Sequence, residues 1–179
     1  MKKLILGIFL AAGLLACEGD RGPQGPPGQN GTAFIGQTYE YENVNFVYES
    51  ANNLYATLLN VPPEIEILPS DAILVYRLEE QIVNGNIIET WSLIPKNFFV
   101  PQGTIQYLYN HTDADVELLI NGNFNLSGLD TGFTNNQIFR FVVIPSDFAK
   151  DPKINIQTFD ELEKAIQQQD FALNEFTIQ

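Results

Sequence analysis

The chain has 179 residues, with 22 acidic against 9 basic side chains and a formal charge of -13. This length suits one domain of ordinary size, and 45% hydrophobic with 12% aromatic residues supplies a core, so whole-chain disorder is excluded. Nucleic acid is excluded as a partner, because a strongly anionic chain gains nothing from counterion release at phosphates, and one cysteine with one histidine removes most metal and redox chemistry.

The chain opens on two lysines, Lys2 and Lys3, an apolar run from Leu4 to Leu15, and a small residue, Ala16, directly before Cys17. That order reads as a cleaved secretory signal, residues 1–16. The run is too short for the roughly 20 apolar residues of a membrane-spanning helix. Its ending, Leu14-Leu15-Ala16-Cys17, resembles the lipobox of bacterial lipoproteins. The resemblance implies a cysteine diacylated on sulfur, cleavage before it, and acylation of the new amino group. A thioether sulfur cannot ionise to a thiolate, so the mature chain is expected to be free of reactive thiol. Each buried methylene of an acyl chain contributes about 0.8 kcal/mol, so several chains anchor the protein without a span. In lipoproteins an aspartate after the cysteine signals inner-membrane retention; Glu18 stands there, which points to the outer membrane. Glu18 and Asp20 also resemble the surface-export signals of some Gram-negative groups.

Gly19, Gly22, Gly25, Gly28 and Gly31 then recur every third residue, with Pro23, Pro26 and Pro27 between them. This is a collagen-like Gly-X-Y tract, in which only glycine fits the axis of three intertwined polyproline II chains. Four triplets form few interchain hydrogen bonds to offset the ordering entropy. The segment 17–33 therefore reads as a lipidated spacer in a monomer, with a trimer stem as the alternative. In polyproline II form the stretch from Cys17 to Gly31 spans roughly 45 Å, enough to clear lipid headgroups.

From Phe34 to the end, residues 34–179, apolar and polar residues alternate between Asn/Gly turns, the period-two signature of half-buried strands. The alternation predicts strands over Thr38–Val47, Leu54–Val61, Ala72–Ile82, Ile87–Ile94, Thr104–Asn110, Val116–Ile120, Asn123–Leu126 and Gln137–Ile144. Asn84-Gly85 and Asn121-Gly122 tolerate the positive φ of type I′ hairpin turns. Pro62, Pro63, Pro69, Pro95, Pro101 and Pro145 fall at strand ends or links, where a missing amide donor disturbs no ladder. Val116, Leu118 and Ile120 share one side of their strand, as do Ile105, Tyr107 and Tyr109, and Phe139, Phe141 and Val143; these sides should line the core. About eight short strands joined by turns favour a mainly β fold, an immunoglobulin-like or jelly-roll β-sandwich. Thr158 and Glu161 have capping-box spacing ahead of Leu162, Ala165 and Ile166, which predicts one C-terminal helix over Phe159–Gln169 packed on the sandwich. Phe171, Leu173, Phe176 and Ile178 alternate as a last strand or extended tail.

The sole histidine, His111, reads as a surface residue at a polar strand end. The sequence contains no G-x-S-x-G, S-x-x-K, P-loop or H-E-x-x-H pattern. Glu79-Glu80, Glu64-Ile65-Glu66 and Asp113-Ala114-Asp115 are the acidic pairs. Adjacent strand residues point to opposite faces, so Glu79 and Glu80 should diverge, while Asp113 and Asp115 in a loop are a candidate calcium pair against a solvated acidic face. No cofactor is implied, and a catalytic or metal set is not expected. Among the aromatics, Trp91, Tyr107 and Tyr109 are candidates for a flat platform for sugar rings, against packing within the sheets.

Lipobox, Gly-X-Y triplets and an acidic β-rich domain together resemble a group of collagen-like bacterial lipoproteins that has no established activity to transfer. The first reading of the whole chain is a lipid-anchored protein of the outer membrane, displayed at the cell surface, that binds a glycan or an envelope protein without catalysis. A periplasm-facing envelope scaffold is the alternative, followed by a carbohydrate-active hydrolase, which needs two convergent carboxylates in a cleft.

Overall fold

The computed structural model describes residues 33–169 and 171–178. The signal, Cys17 and the Gly-X-Y tract lie outside the described residues. The elements in chain order are β1 (Ala33–Val44), β2 (Val47–Glu49), β3 (Leu54–Asn60), β4 (Asp71–Val83), β5 (Asn86–Leu93), β6 (Lys96–Val100), β7 (Gly103–His111), β8 (Asp115–Gly122), β9 (Gln137–Pro145), α1 (Ser146–Ala149), α2 (Phe159–Gln167) and β10 (Phe171–Ile178). The strands form two five-stranded sheets, β10-β1-β9-β4-β5 and β2-β3-β8-β7-β6. Side chains of both sheets meet in one core, so the molecule is the mainly β sandwich with a helix near its C-terminus that the alternation predicts.

The inward faces follow the sequence pattern. Val116, Leu118 and Ile120 on β8, Ile105 and Tyr107 on β7, and Phe139, Phe141 and Val143 on β9 are all buried between the sheets. The rings of Tyr39 and Phe141 stack at 5.0 Å across the β1–β9 pair. The first sheet is covered on both sides. Leu74 and Tyr76 of β4 and Val142 and Ile144 of β9 point the other way and pack against Phe159, Leu162 and Ile166 of α2. The run Phe139–Ile144 on β9 accordingly reads as nearly continuous apolar sequence, because both of its faces are buried. Helix α2 starts where Thr158 Oγ1 accepts from the Glu161 amide at 3.3 Å, and the Thr158 hydroxyl donates to the Glu161 carboxylate at 3.2 Å.

Three local expectations are corrected. The predicted strand Thr38–Val47 is broken after Val44: Asn43 takes a left-handed φ of 56°, Phe46 plugs the core at 6% exposure, and Val47 begins β2 in the opposite sheet. Asn121-Gly122 does not turn but closes β8, and Asn123–Leu126 is not a strand. The Asn53 side chain holds that segment instead, accepting from Leu126 N and donating to Phe124 O at 2.8 Å each. Gly122 serves close approach there, since a Cβ would lie 2.8 Å from Leu126 Cδ2. The pentapeptide Lys96–Val100, bracketed by Pro95 and Pro101, forms the edge strand β6, although its flanking prolines mark it as a link. The other Asn-Gly turn behaves as its chemistry dictates: Asn84 (φ 53°) and Gly85 (φ 81°) close the β4–β5 hairpin.

Candidate functional site

The aromatic platform expected at Trp91, Tyr107 and Tyr109 is not formed. Tyr107 and Tyr109 point from β7 into the core, and Trp91 lies on β5, in the other sheet, against the helix-side cluster. Each has a packing role. The Tyr107 hydroxyl donates to the Phe133 carbonyl and the Tyr109 hydroxyl to the Ile73 carbonyl at 2.6 Å, which ties a loop and the opposite sheet to β7. Burial pushes the Tyr107 phenol up to about 12, against the pull of the nearby Arg77 guanidinium, and burial also raises Tyr109. The Arg140 guanidinium carbon sits 4.0 Å from the Trp91 ring centre and 4.4 Å from that of Phe159, and Glu40 anchors it at 2.8 Å. Trp91 is therefore one wall of an arginine clamp between β5 and α2.

A cavity of about 350 Å³ opens beside β4, lined by Arg77, Glu79, Phe98, Gly132, Asn136 and Gln137 among others. The alternation of β4 explains its polarity. Ile73 and Val75 face the core, and two and four residues further on the same face carries Arg77 and Glu79. Arg77 donates through Nε and Nη2 to Gln137 Oε1 at 2.9 and 2.6 Å, over the rings of Tyr107 (4.7 Å) and Phe98 (5.2 Å). Gln137 in turn donates to the Gly132 and Asn135 carbonyls at 3.0 and 2.6 Å. Lys96 places both Glu79 oxygens at 2.8 and 2.9 Å and reaches Ser92 Oγ at 3.1 Å. Glu79 is thus paired with Lys96 and Arg77 is held by the Gln137 amide, an arrangement that fixes these side chains in place.

The remaining candidates stay apart from it. His111 is exposed at the end of β7, four residues past Tyr107, which at strand spacing is roughly 13 Å away. Asp115 accepts from the Thr112 hydroxyl at 2.8 Å while that hydroxyl accepts from the Ala114 and Asp115 amides, so this carboxylate braces a turn. Among the described residues no group of three or more His, Cys, Asp and Glu side chains is placed to hold a metal ion. The alternation of β4 carries the signal for the cleft: a lone arginine on the inward face of Ala72-Ile73-Leu74-Val75-Tyr76-Arg77. No protein-family model, no curated protein and no solved structure matches the chain.

Proposed function

We propose that this protein is an outer-membrane lipoprotein, anchored through acylated Cys17 and displayed at the cell surface, whose sandwich is a non-enzymatic binding or adhesion module. The observation that carries the reading is Leu14-Leu15-Ala16-Cys17 behind a basic start and an apolar run. Three features support it. Loss of Lys2 and Lys3 with the signal takes the formal charge from -13 to -15, which favours solubility and repulsion from anionic lipid. The spacing of the Gly-X-Y tract behind Cys17 gives the acyl chains a tether long enough to hold the sandwich clear of the headgroups. The cleft beside β4 presents fixed polar side chains, Glu79 held by Lys96 and Arg77 held by Gln137, as a preorganised binding surface does.

Protease treatment of intact cells tests the display. Loss of the sandwich, followed with an antibody to it, is expected without permeabilisation. Survival until the outer membrane is opened overturns surface display in favour of the periplasm-facing scaffold.

A further inference from the structure

The outer face of the second sheet carries an uncharged polar lattice. Register pairs Asn97 on β6 with Gln106 on β7, and Gln106 with Asn121 on β8, so three amide side chains form one row across three neighbouring strands. The next row pairs Phe99 with Thr104, and the Thr104 amide donates to Asn123 Oδ1 at 2.9 Å. Neighbours within a row stand about 5 Å apart and the rows about 7 Å apart. A shallow cavity of about 210 Å³ lies among Asn97, Thr104, Gln106, Asn121 and Asn123.

Two properties of this patch select its ligand. Phe99 is 88% exposed, while its strand neighbours Phe98 and Val100 pack on the core, so the ring projects into solvent from the edge strand on the same side as Asn97. The patch also lacks ionisable groups in a chain of net charge -13; on the other flank of the amide row lie Leu108 and Leu119, paired across β7 and β8, also uncharged. Asn121 Oδ1 accepts from the Gly122 amide at 2.8 Å, which leaves the side-chain NH₂ as a donor, and among the described residues no hydrogen bond occupies the side chains of Asn97 and Gln106. An amide offers donors and an acceptor in one plane, matching the paired hydroxyls of a sugar, and an exposed ring covers the C–H face of a pyranose.

We infer that the Phe99, Asn97, Gln106 and Asn121 surface binds a neutral oligosaccharide, lying across β6, β7 and β8. This rests on the reading of the sandwich as a binding module and names the ligand class of that module. A linear neutral chain suits a flat, open surface, while acidic polysaccharides meet the repulsion of the net charge.

The test uses the full-length acylated protein in detergent micelles, titrated with cellotetraose, mannotetraose and fully N-acetylated chitotetraose, and with tetragalacturonate as the anionic control. At least one neutral tetrasaccharide is expected to bind with Kd of about 1 mM or tighter. Phe99→Ala should weaken it roughly tenfold or more, Phe99→Trp should retain it, and Gln106→Ala should weaken it about threefold or more, all with unchanged Tm because these side chains are exposed. Absence of binding to all three neutral sugars, binding untouched by Phe99→Ala, or equal affinity for tetragalacturonate overturns the inference. A protein ligand that depends on Phe99 in place of a sugar overturns it too, but leaves the binding-module reading standing. Failure of that reading shows separately, as protection of the sandwich in intact cells.

Discussion

Tyr107 links the fold to an alkaline limit on its stability. Its phenol is 1% exposed and needs its proton, because the hydroxyl donates to the Phe133 carbonyl. Burial holds the folded-state pKa at about 12 against an ordinary value of 10.0. A raised pKa in the folded state means that the unfolded chain gives up its proton first, so the stabilisation is complete below about pH 10 and is lost as pH climbs through about 12. At about 1.4 kcal/mol per pKa unit, the loss from this residue alone is about 2 kcal/mol at pH 12 and approaches about 3 kcal/mol above it. Burial also raises Tyr39 and Tyr76, which steepens the decline. Tyr107→Phe separates the two contributions of the hydroxyl. At neutral pH it should cost about 1 kcal/mol, since the Phe133 carbonyl loses its donor. Without an ionisable group it should then fall less steeply, so that the variant becomes the more stable protein above about pH 11. Urea unfolding followed by circular dichroism at stepped pH reads both values. Parallel pH profiles for the two proteins, with no crossing, would refute the assignment of a buried, proton-requiring phenol.

Two further substitutions probe the packing of the first sheet. Gly36→Ala on β1 would set a Cβ 2.0 Å from the Val143 carbonyl oxygen and 2.7 Å from Ile144 Cγ2, and backbone cannot swing aside as a side chain can. It should cost about 2 kcal/mol or more and lower Tm by roughly 6 °C, and an unchanged Tm contradicts the close β1–β9 approach. Arg140→Ala removes the cation between Trp91 and Phe159 and leaves Glu40 unpaired. A red shift in emission from the sole tryptophan and a loss of about 1 kcal/mol are expected; emission unaltered by the change contradicts the clamp.

Periodicity made much of the sandwich legible. The inward sides of β7, β8 and β9 follow from alternation, and the Asn84-Gly85 turn and the Thr158 cap follow from local backbone chemistry. What alternation cannot show is which sheet a strand joins. The passage from β1 to β2 depends on Phe46 entering the core and on Asn43 adopting positive φ, and neither breaks the apolar pattern. Asn121-Gly122 misleads because the same dipeptide serves a turn or a close contact, and only the approach of Leu126 decides between them. Strand β6 is masked by Pro95 and Pro101, which a short edge strand accommodates at its ends. Residue type pointed to sugar-binding aromatics, but tyrosines carried on core-facing positions are consumed by packing. The exposed ring is Phe99, found only once β6 is known to be a strand whose odd positions face outward.

Anchoring can be read from the acyl group itself. Cells fed an alkyne analogue of palmitate, lysed and clicked to a fluorophore, are expected to yield a labelled band for the wild-type protein, retained with the membrane pellet. Cys17→Ser is expected to abolish the label and release the protein from that pellet. An unlabelled wild-type band, or a Cys17→Ser protein that sediments with membranes as before, contradicts a lipid-anchored module at the cell envelope.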